Sequence, residues 1–279
     1  MAVYLPSTFG DIADTTRPLV IALHGFPDTP HTWRHLGPAL ADRGYRVAAP
    51  WLPGYDGPAS GPISAGTYVR QARAVRRALK GDARAVFIGH DWGALTGYGV
   101  AASDPAAFCR LVTLAVPPTP ALGATMFSYA QLKRSFYIWF IQQAELAEAT
   151  LLEPGFWESL WGDWSPGYNA QQDISWLREH VTAETIAGVI APYRAMFNPE
   201  FADPRAQAEA AATLSVPPIP TLYLHGSNDG ALGAELVGGV ANHLPAKGSS
   251  FEMIDGVGHF LHLERPELIA DRICSWLAG

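Results

Sequence analysis

The chain has 279 residues, enough for one large domain or two modest ones, and 48% of them are hydrophobic, which suits a sizeable core and excludes a disordered chain. A net charge of −7 gives no electrostatic footing for nucleic acid or an anionic membrane as partner. The first ten residues lack a basic segment leading into an apolar core, and no window approaches the roughly 18 uninterrupted apolar residues of a membrane span. The expectation is a soluble, cytoplasmic protein, monomer or homodimer, whose Cys109 and Cys274 are reduced structural thiols outside any metal-type spacing.

Short apolar runs alternate with helical patterns. Leu19–Leu23 reads as a buried strand ending at His24-Gly25, and Trp33–Arg43 as a helix stopped by Gly44. Arg46–Ala49 is a strand closed by Pro50 and a Pro/Gly-rich loop. Thr67–Lys80, with a start as early as Ser64, is a helix stopped at Gly81. Ala85–Ile88 (strand), Ala94–Ser103 (helix) and Leu111–Val116 (strand) follow. Far downstream come strands Thr221–Leu224 and Ser250–Ile254 and a last helix, Pro266–Leu277. Buried strands alternating with helices imply a mostly parallel sheet flanked by helices, an α/β fold. Ala2–Leu5 is the sole strand-like run before Leu19, so the expectation is either a sheet one strand short or a truncated start.

The alternation breaks between Pro117 and Pro217. This stretch is helix-like, bounded by prolines and rich in tryptophan (Trp139, Trp157, Trp161, Trp164, Trp176). It reads as a helical cap, 117–216, inserted between sheet strands of a core formed by 1–116 and 217–279. A cap over the strand ends would shield a site from water. The alanines of 206–212 read as a plain cap helix.

Gly89-His90-Asp91-Trp92-Gly93 lies between a strand and a helix, with one polar side chain at its apex and glycines two residues either side. This is the context of a nucleophile elbow, normally occupied by serine. A carboxylate there forms an alkyl ester, which suits electrophilic carbons such as epoxides and alkyl halides and excludes a simple serine esterase. A nucleophile needs a base and a group to orient it, in the chain order nucleophile, acid, histidine. Asp229 follows the strand Thr221–Leu224, and His259 lies on the loop before the last helix. Both fall at carboxyl ends of strands, where ligand sites of such sheets lie. Asp255 is a nearer acid but reads as a turn residue. In His24-Gly25-Phe26-Pro27, the turn would aim the amides of Phe26 and Trp92 at an oxyanion.

These residues resemble the α/β-hydrolase superfamily, specifically its epoxide hydrolase branch, over nearly the whole chain. His24-Gly25-Phe26-Pro27 matches the family's HGxP turn, with its typically cis proline. Gly89–Gly93 matches the GHDWG elbow, and Gly258-His259-Phe260 with Glu264-Arg265-Pro266 the terminal motif. The resemblance implies the α/β-hydrolase fold and two cap tyrosines that donate to the epoxide oxygen: Tyr137 in Ser135-Phe136-Tyr137 and Tyr193 in Tyr193-Arg194. Ring opening develops an alkoxide, a poor leaving group unless it is hydrogen-bonded. Tyr129, Tyr168 and Tyr98 are the fallback donors.

The expectation is therefore a small hydrophobic epoxide as substrate, water as the second reactant, and no cofactor or metal, since neither a dinucleotide fingerprint nor a ligand spacing is present. Trp139, Phe140, Trp164 and Phe260 are expected to line the pocket. A dehalogenase using the same aspartate is the main alternative. Haloalkane dehalogenases typically carry Asn where this chain has Phe26, and haloacetate dehalogenases an Arg just after the nucleophile, where Trp92–Thr96 has none. A catalytically silent binding protein is the second alternative, opposed by the intact set Asp91, Asp229 and His259. His31, His35, His180 and His243 read as surface or packing residues.

Overall fold

The computed structural model describes residues 7–279, and the run Ala2–Leu5 lies outside the described residues. The strands are β1 (Ser7–Phe9), β2 (Leu19–Leu23), β3 (Arg46–Ala49), β4 (Val86–His90), β5 (Arg110–Leu114), β6 (Thr221–Gly226) and β7 (Ser250–Ile254). They form one sheet in the order β1-β3-β2-β4-β5-β6-β7, with β1 antiparallel to β3 and every other pair parallel.

β2 and β4 are buried at every position, as continuous apolar runs require when both sheet faces are covered. The faces alternate along a strand. Leu19, Ile21 and Leu23 enter one core, and Val20 and Ala22 the other. Helices α1 (Leu36–Asp42) and α13 (Pro266–Ala278) cover the second core through Leu36, Leu40, Ile269 and Ile273. Helices α2 (Ala65–Ala78) and α3 (Trp92–Ser103) cover the first through Tyr68, Val69, Ala72, Tyr98 and Val100. α2 begins where the Thr67 hydroxyl accepts the Ser64 amide at 3.1 Å. The single expected helix over 33–43 is split into a 3-10 turn, Pro30–Arg34, and α1. Proline at the start of the turn and the Thr29 hydroxyl accepting the His31 amide fix an earlier, tighter start than hydrophobic spacing suggested.

Between β5 and β6 the chain forms α4 (Thr119–Leu122), α5 (Tyr129–Arg134), α6 (Phe136–Phe140), α7 (Ala144–Leu151), α8 (Phe156–Trp164), α9 (Gln171–His180), α10 (Ile186–Phe197) and α11 (Gln207–Ala212). This helical insertion is the cap. Its buried Tyr137, Trp157, Trp161, Trp164 and Tyr193 belong to the same core as α2 and α3. The alanine-rich α11 is the last helix of the insertion and packs on α2 and α3 of the core. α12 (Leu261–Glu264) links the β7 loop to α13. No helix among the described residues is long and apolar enough to cross a membrane. Both cysteines are free, and Cys109 is exposed, not a core thiol.

Candidate active site

The chain runs from β2 to β3 on one side and returns to β4 on the other, so β2 and β4 are the strands where the order reverses. Loops leaving their carboxyl ends diverge and open a crevice. Leu23 pairs with Gly89, which sets the turn after β2 beside Asp91. Asp91 has φ 52° and ψ −115°, a region L-residues rarely adopt, at the junction of β4 and α3. Neighbouring backbone leaves no room for side chains there. A Cβ on Gly93 would stand 1.9 Å from the Leu23 carbonyl oxygen, and one on Gly89 2.1 Å from that of Gly93. The two elbow glycines are thus steric requirements of the turn.

Asp91 Oδ1 accepts the Phe26 amide at 2.7 Å. That amide is aimed by the turn His24–Pro27, where the Phe26–Pro27 bond is cis. His24 holds the turn: its Nδ1 donates to the Gly25 carbonyl at 2.9 Å and its Nε2 accepts the Leu52 amide at 3.1 Å. Asp91 Oδ2 lies 3.8 Å from His259 Nε2. His259 Nδ1 donates to Asp229 Oδ2 at 2.9 Å, leaving Nε2 with no hydrogen-bond partner among the described residues. Asp229 Oδ1 accepts the amides of Ala231 and Leu232 at 2.8 and 2.9 Å, which locks the carboxylate in place. Asp255 accepts from Ser227 in the adjacent turn and takes no part.

Electrostatics follow from burial. Asp91 is 8% exposed. Desolvation raises its pKa to about 6, against the pull of His259 and of the Phe26 and Trp92 amides. Burial alone would lower His259, but the Asp229 carboxylate, its hydrogen bond and the charge of Asp91 outweigh it and raise the imidazole above its ordinary value. Burial thus raises Asp91, and the two flanking carboxylates raise His259.

The cap closes over these groups. Tyr137 on α6 and Tyr193 on α10 meet edge to face, ring centroids 5.7 Å apart. Gln142 ties the helices by donating to the carbonyls of Ile138 and Tyr193 at 2.9 and 3.1 Å. Phe26 lies parallel to Tyr137 at 6.1 Å and edge-on to Tyr193 at 5.0 Å, and Trp92 is 4.9 Å from Tyr193. Both tyrosines lie within reach of the Asp91 charge, whereas the fallback tyrosines are engaged or remote. Tyr98 donates to Val116 O, Tyr168 to Asp173, and Tyr129 is 79% exposed. Burial and the nearby Asp91 charge push both Tyr137 and Tyr193 well above 10. Both hydroxyls are thus kept neutral and protonated.

The expected pocket residues separate into two groups. Trp164 is buried, 4.9 Å from Tyr137 and 5.0 Å from His259. Phe260 is also buried, but its ring stacks flat on Trp161 at 3.5 Å and cements cap to core. Trp139 is 42% exposed and rests on Phe197, outside the site, and Phe140 is half-buried. The reason is helical phase: a residue two positions from Tyr137 points to the opposite side of α6. The sequence reading also missed Trp157, which meets Phe26 edge-on at 5.8 Å, and a cap-to-core clasp. In the clasp Arg34 binds Asp173 at 2.7 and 3.2 Å and Tyr168 at 3.1 Å, and His31 stacks on Trp176 at 4.3 Å. No sequence motif marks these pairings, since their partners are well over a hundred residues apart. A second buried cluster, Asp28, His90 and His262, adjoins His259. Its only sequence signal is position, since each member lies within three residues of a motif residue.

A family model described as the alpha/beta hydrolase fold matches residues 18–266. Epoxide hydrolase A of Mycobacterium tuberculosis is 27% identical, with 94% of this chain and 91% of that protein covered. The AB hydrolase superfamily protein YfhM of Bacillus subtilis is 25% identical, covering 93% and 90%. Among solved structures, the epoxide hydrolase CorEH without ligand superposes with a TM-score of 0.79 at 22% identity, covering 97% and 93%. Epoxide hydrolase A of Mycobacterium thermoresistibile gives 0.71 at 24%, covering 98% and 93%.

Proposed function

Since the chain belongs to the α/β-hydrolase fold family, in its epoxide-hydrolase branch, we propose that it opens a small, uncharged, hydrophobic epoxide to a vicinal diol through an ester of Asp91. The observation that carries this reading is the pair of buried cap tyrosines, Tyr137 and Tyr193, beside the Asp91 carboxylate, with His259 Nε2 left without a partner among the described residues.

In the first step Asp91 Oδ2 attacks an epoxide carbon and the C–O bond breaks. The ring oxygen takes the electron pair while Tyr137 and Tyr193 hydrogen-bond to it, and a proton then neutralises it. In the second, His259 Nε2 takes a proton from water, and the resulting hydroxide attacks Asp91 Cγ. The 3.8 Å between Nε2 and Oδ2 leaves the base close to, but not bonded with, the ester it must hydrolyse. Charge then develops on Oδ1, which the Phe26 amide already meets at 2.7 Å, with the Trp92 amide as second donor. Collapse of this intermediate expels the diol alkoxide, which takes the proton of the newly formed Asp91 acid, and His259 releases its proton to replace the one consumed in ring opening, which restores the Asp91 carboxylate. Asp229 holds the imidazole and offsets its positive charge.

Aromatic surroundings favour an apolar substrate, with Phe26, Trp157 and Trp164 as walls. A halide leaving group would find the buried Trp92 Nε1, which has no partner among the described residues, but no side-chain donor at position 26, which is Phe. The two free thiols fit a reducing compartment, and we place the protein in the cytoplasm. The test is a panel of neutral epoxides and alkyl halides. Diol from epoxides without halide release supports the assignment, and halide release without diol overturns it.

A further inference from the structure

Three polar atoms buried beside the base have no hydrogen-bond partner among the described residues: Asp28 Oδ2, His90 Nδ1 and His262 Nδ1. One ligand-capable atom from each of these side chains lies within 4.8 Å of the other two. The other end of each group is committed. Asp28 Oδ1 accepts the Thr29 amide at 2.7 Å. His262 Nε2 meets the Thr32 hydroxyl at 2.5 Å. His90 Nε2 lies 3.0 Å from the carbonyl oxygen of His259. A carbonyl only accepts, so His90 Nε2 carries a proton and donates.

Donor accounting then limits the cluster. With Nε2 protonated, a neutral His90 presents a lone pair at Nδ1, which only a donor satisfies. Asp28 donates only as the acid. The three atoms make no direct bond, so their satisfaction requires something between them. One water fits this set. It accepts from the Asp28 acid proton and donates to the two imidazole nitrogens, making the three bonds typical of a buried water. Burial favours the same neutral forms: it raises Asp28, drives His90 well below 6.5 and lowers His262 to about 3.

We propose that Asp28, His90 and His262 enclose one buried water in an uncharged network, and that this network makes His90 a positioning residue for His259. The role assigned to His259 rests on the function proposed above. His90 precedes the nucleophile in β4, yet its ring reaches the main chain of the base, 4.7 Å from the His259 ring. It ties the nucleophile turn to the loop that carries the base. The network sets the ring nitrogen that carries the His90 proton, and so maintains the bond to the His259 carbonyl.

The test has a substrate-free arm and a kinetic arm. In the first, nitrogen NMR of histidine-labelled protein reads the tautomers at neutral pH. Unprotonated Nδ1 on both His90 and His262 is expected. A protonated His90 Nδ1, meaning an ion pair with Asp28, overturns the uncharged network. Elemental analysis showing one transition-metal ion per chain overturns water as occupant. In the second arm, single turnovers separate ester formation from ester hydrolysis. Asp28→Leu is expected to slow hydrolysis about tenfold or more and to leave ester formation within a few-fold. Asp28→Asn, uncharged but still a donor, is expected to restore hydrolysis. Equal slowing of both steps, or no restoration by Asn, overturns the positioning role. If Asp28→Leu fails to fold, the Asn variant and the NMR arm still decide. The NMR arm is independent of epoxide turnover, so its failure is distinct from failure of the functional reading.

Discussion

The carbonyl oxygen of Trp164, last residue of cap helix α8, accepts the main-chain amide of His259 at 2.9 Å. The same oxygen accepts the Gly230 amide at 3.1 Å, so one cap carbonyl holds both the loop of the base and the loop of its orienting acid. Ser165 Oγ adds a third link, accepting the Phe260 amide at 2.9 Å. Cap and base are thus one mechanical unit. Ser165→Ala leaves the buried Phe260 amide unsatisfied. It is expected to cost about 1–3 kcal/mol of stability and to slow ester hydrolysis more than ester formation, as read by urea unfolding and single turnovers.

Tyr137→Phe and Tyr193→Phe each remove one donor to the developing alkoxide and nothing else of the ring packing. Each is expected to slow ester formation by about 10²-fold, and the double variant by at least about 10³-fold, with hydrolysis of a preformed ester little changed. Rapid-quench measurement of the two steps checks this.

Asp229→Asn preserves shape but removes the charge that holds His259 in its tautomer. A fall of about 10³–10⁴-fold in ester hydrolysis is expected, so the variant should accumulate ester under turnover conditions, visible by mass.

The pH dependence has a definite sign in each step. Asp91 must be ionised to attack, and its pKa is raised to about 6, so ester formation falls as pH drops through about 6. His259 must be neutral to act, and the Asp91 charge is one cause of its raised value. Ester formation removes that charge, so the base releases its proton more readily in the intermediate. The acid limb of ester hydrolysis should lie below the His259 titration seen by NMR in the free protein. Stability responds in the opposite sense. The folded-state pKa of Asp91 exceeds its unfolded value of 3.8, so stability falls as pH rises from about 4 to about 6. Asp91→Asn should therefore be more stable than the parent above pH 6, by at most about 3 kcal/mol, and equal to it below about pH 4.

The clasp between Arg34 and Asp173 joins cap to core through a carboxylate that is 2% exposed. Arg34→Met strands that charge and is expected to destabilise by about 2–4 kcal/mol. Adding Asp173→Asn should recover part of the loss. Denaturant unfolding of the two single variants and the double variant measures the coupling.

The strands and the elbow were legible because their signals are local. β2 and β4 are continuous apolar runs, and Gly89 and Gly93 mark a turn that admits no side chain. That Asp229 and His259 would come together was legible from chain order and strand ends. What stayed hidden depends on contacts between distant segments or on helical phase. Trp139 looked like a pocket residue by composition, but α6 turns it outward while presenting Tyr137, Ile138 and Ile141 inward. α11 was legible as a cap helix by its place in the chain, but its packing on α2 and α3 was not. Asp28 and His262 carry no motif of their own, and only the fold brings them to His90.

The central claim, a covalent ester of Asp91 with an opened epoxide, is tested most directly by intact-protein mass after His259→Gln is incubated with epoxides and alkyl halides. Without its base the protein should stall at the ester and gain the mass of one whole epoxide, and the gain should vanish when Asp91→Ala is added. A gain equal to an alkyl halide less hydrogen halide, or an epoxide adduct that survives Asp91→Ala, would contradict the account.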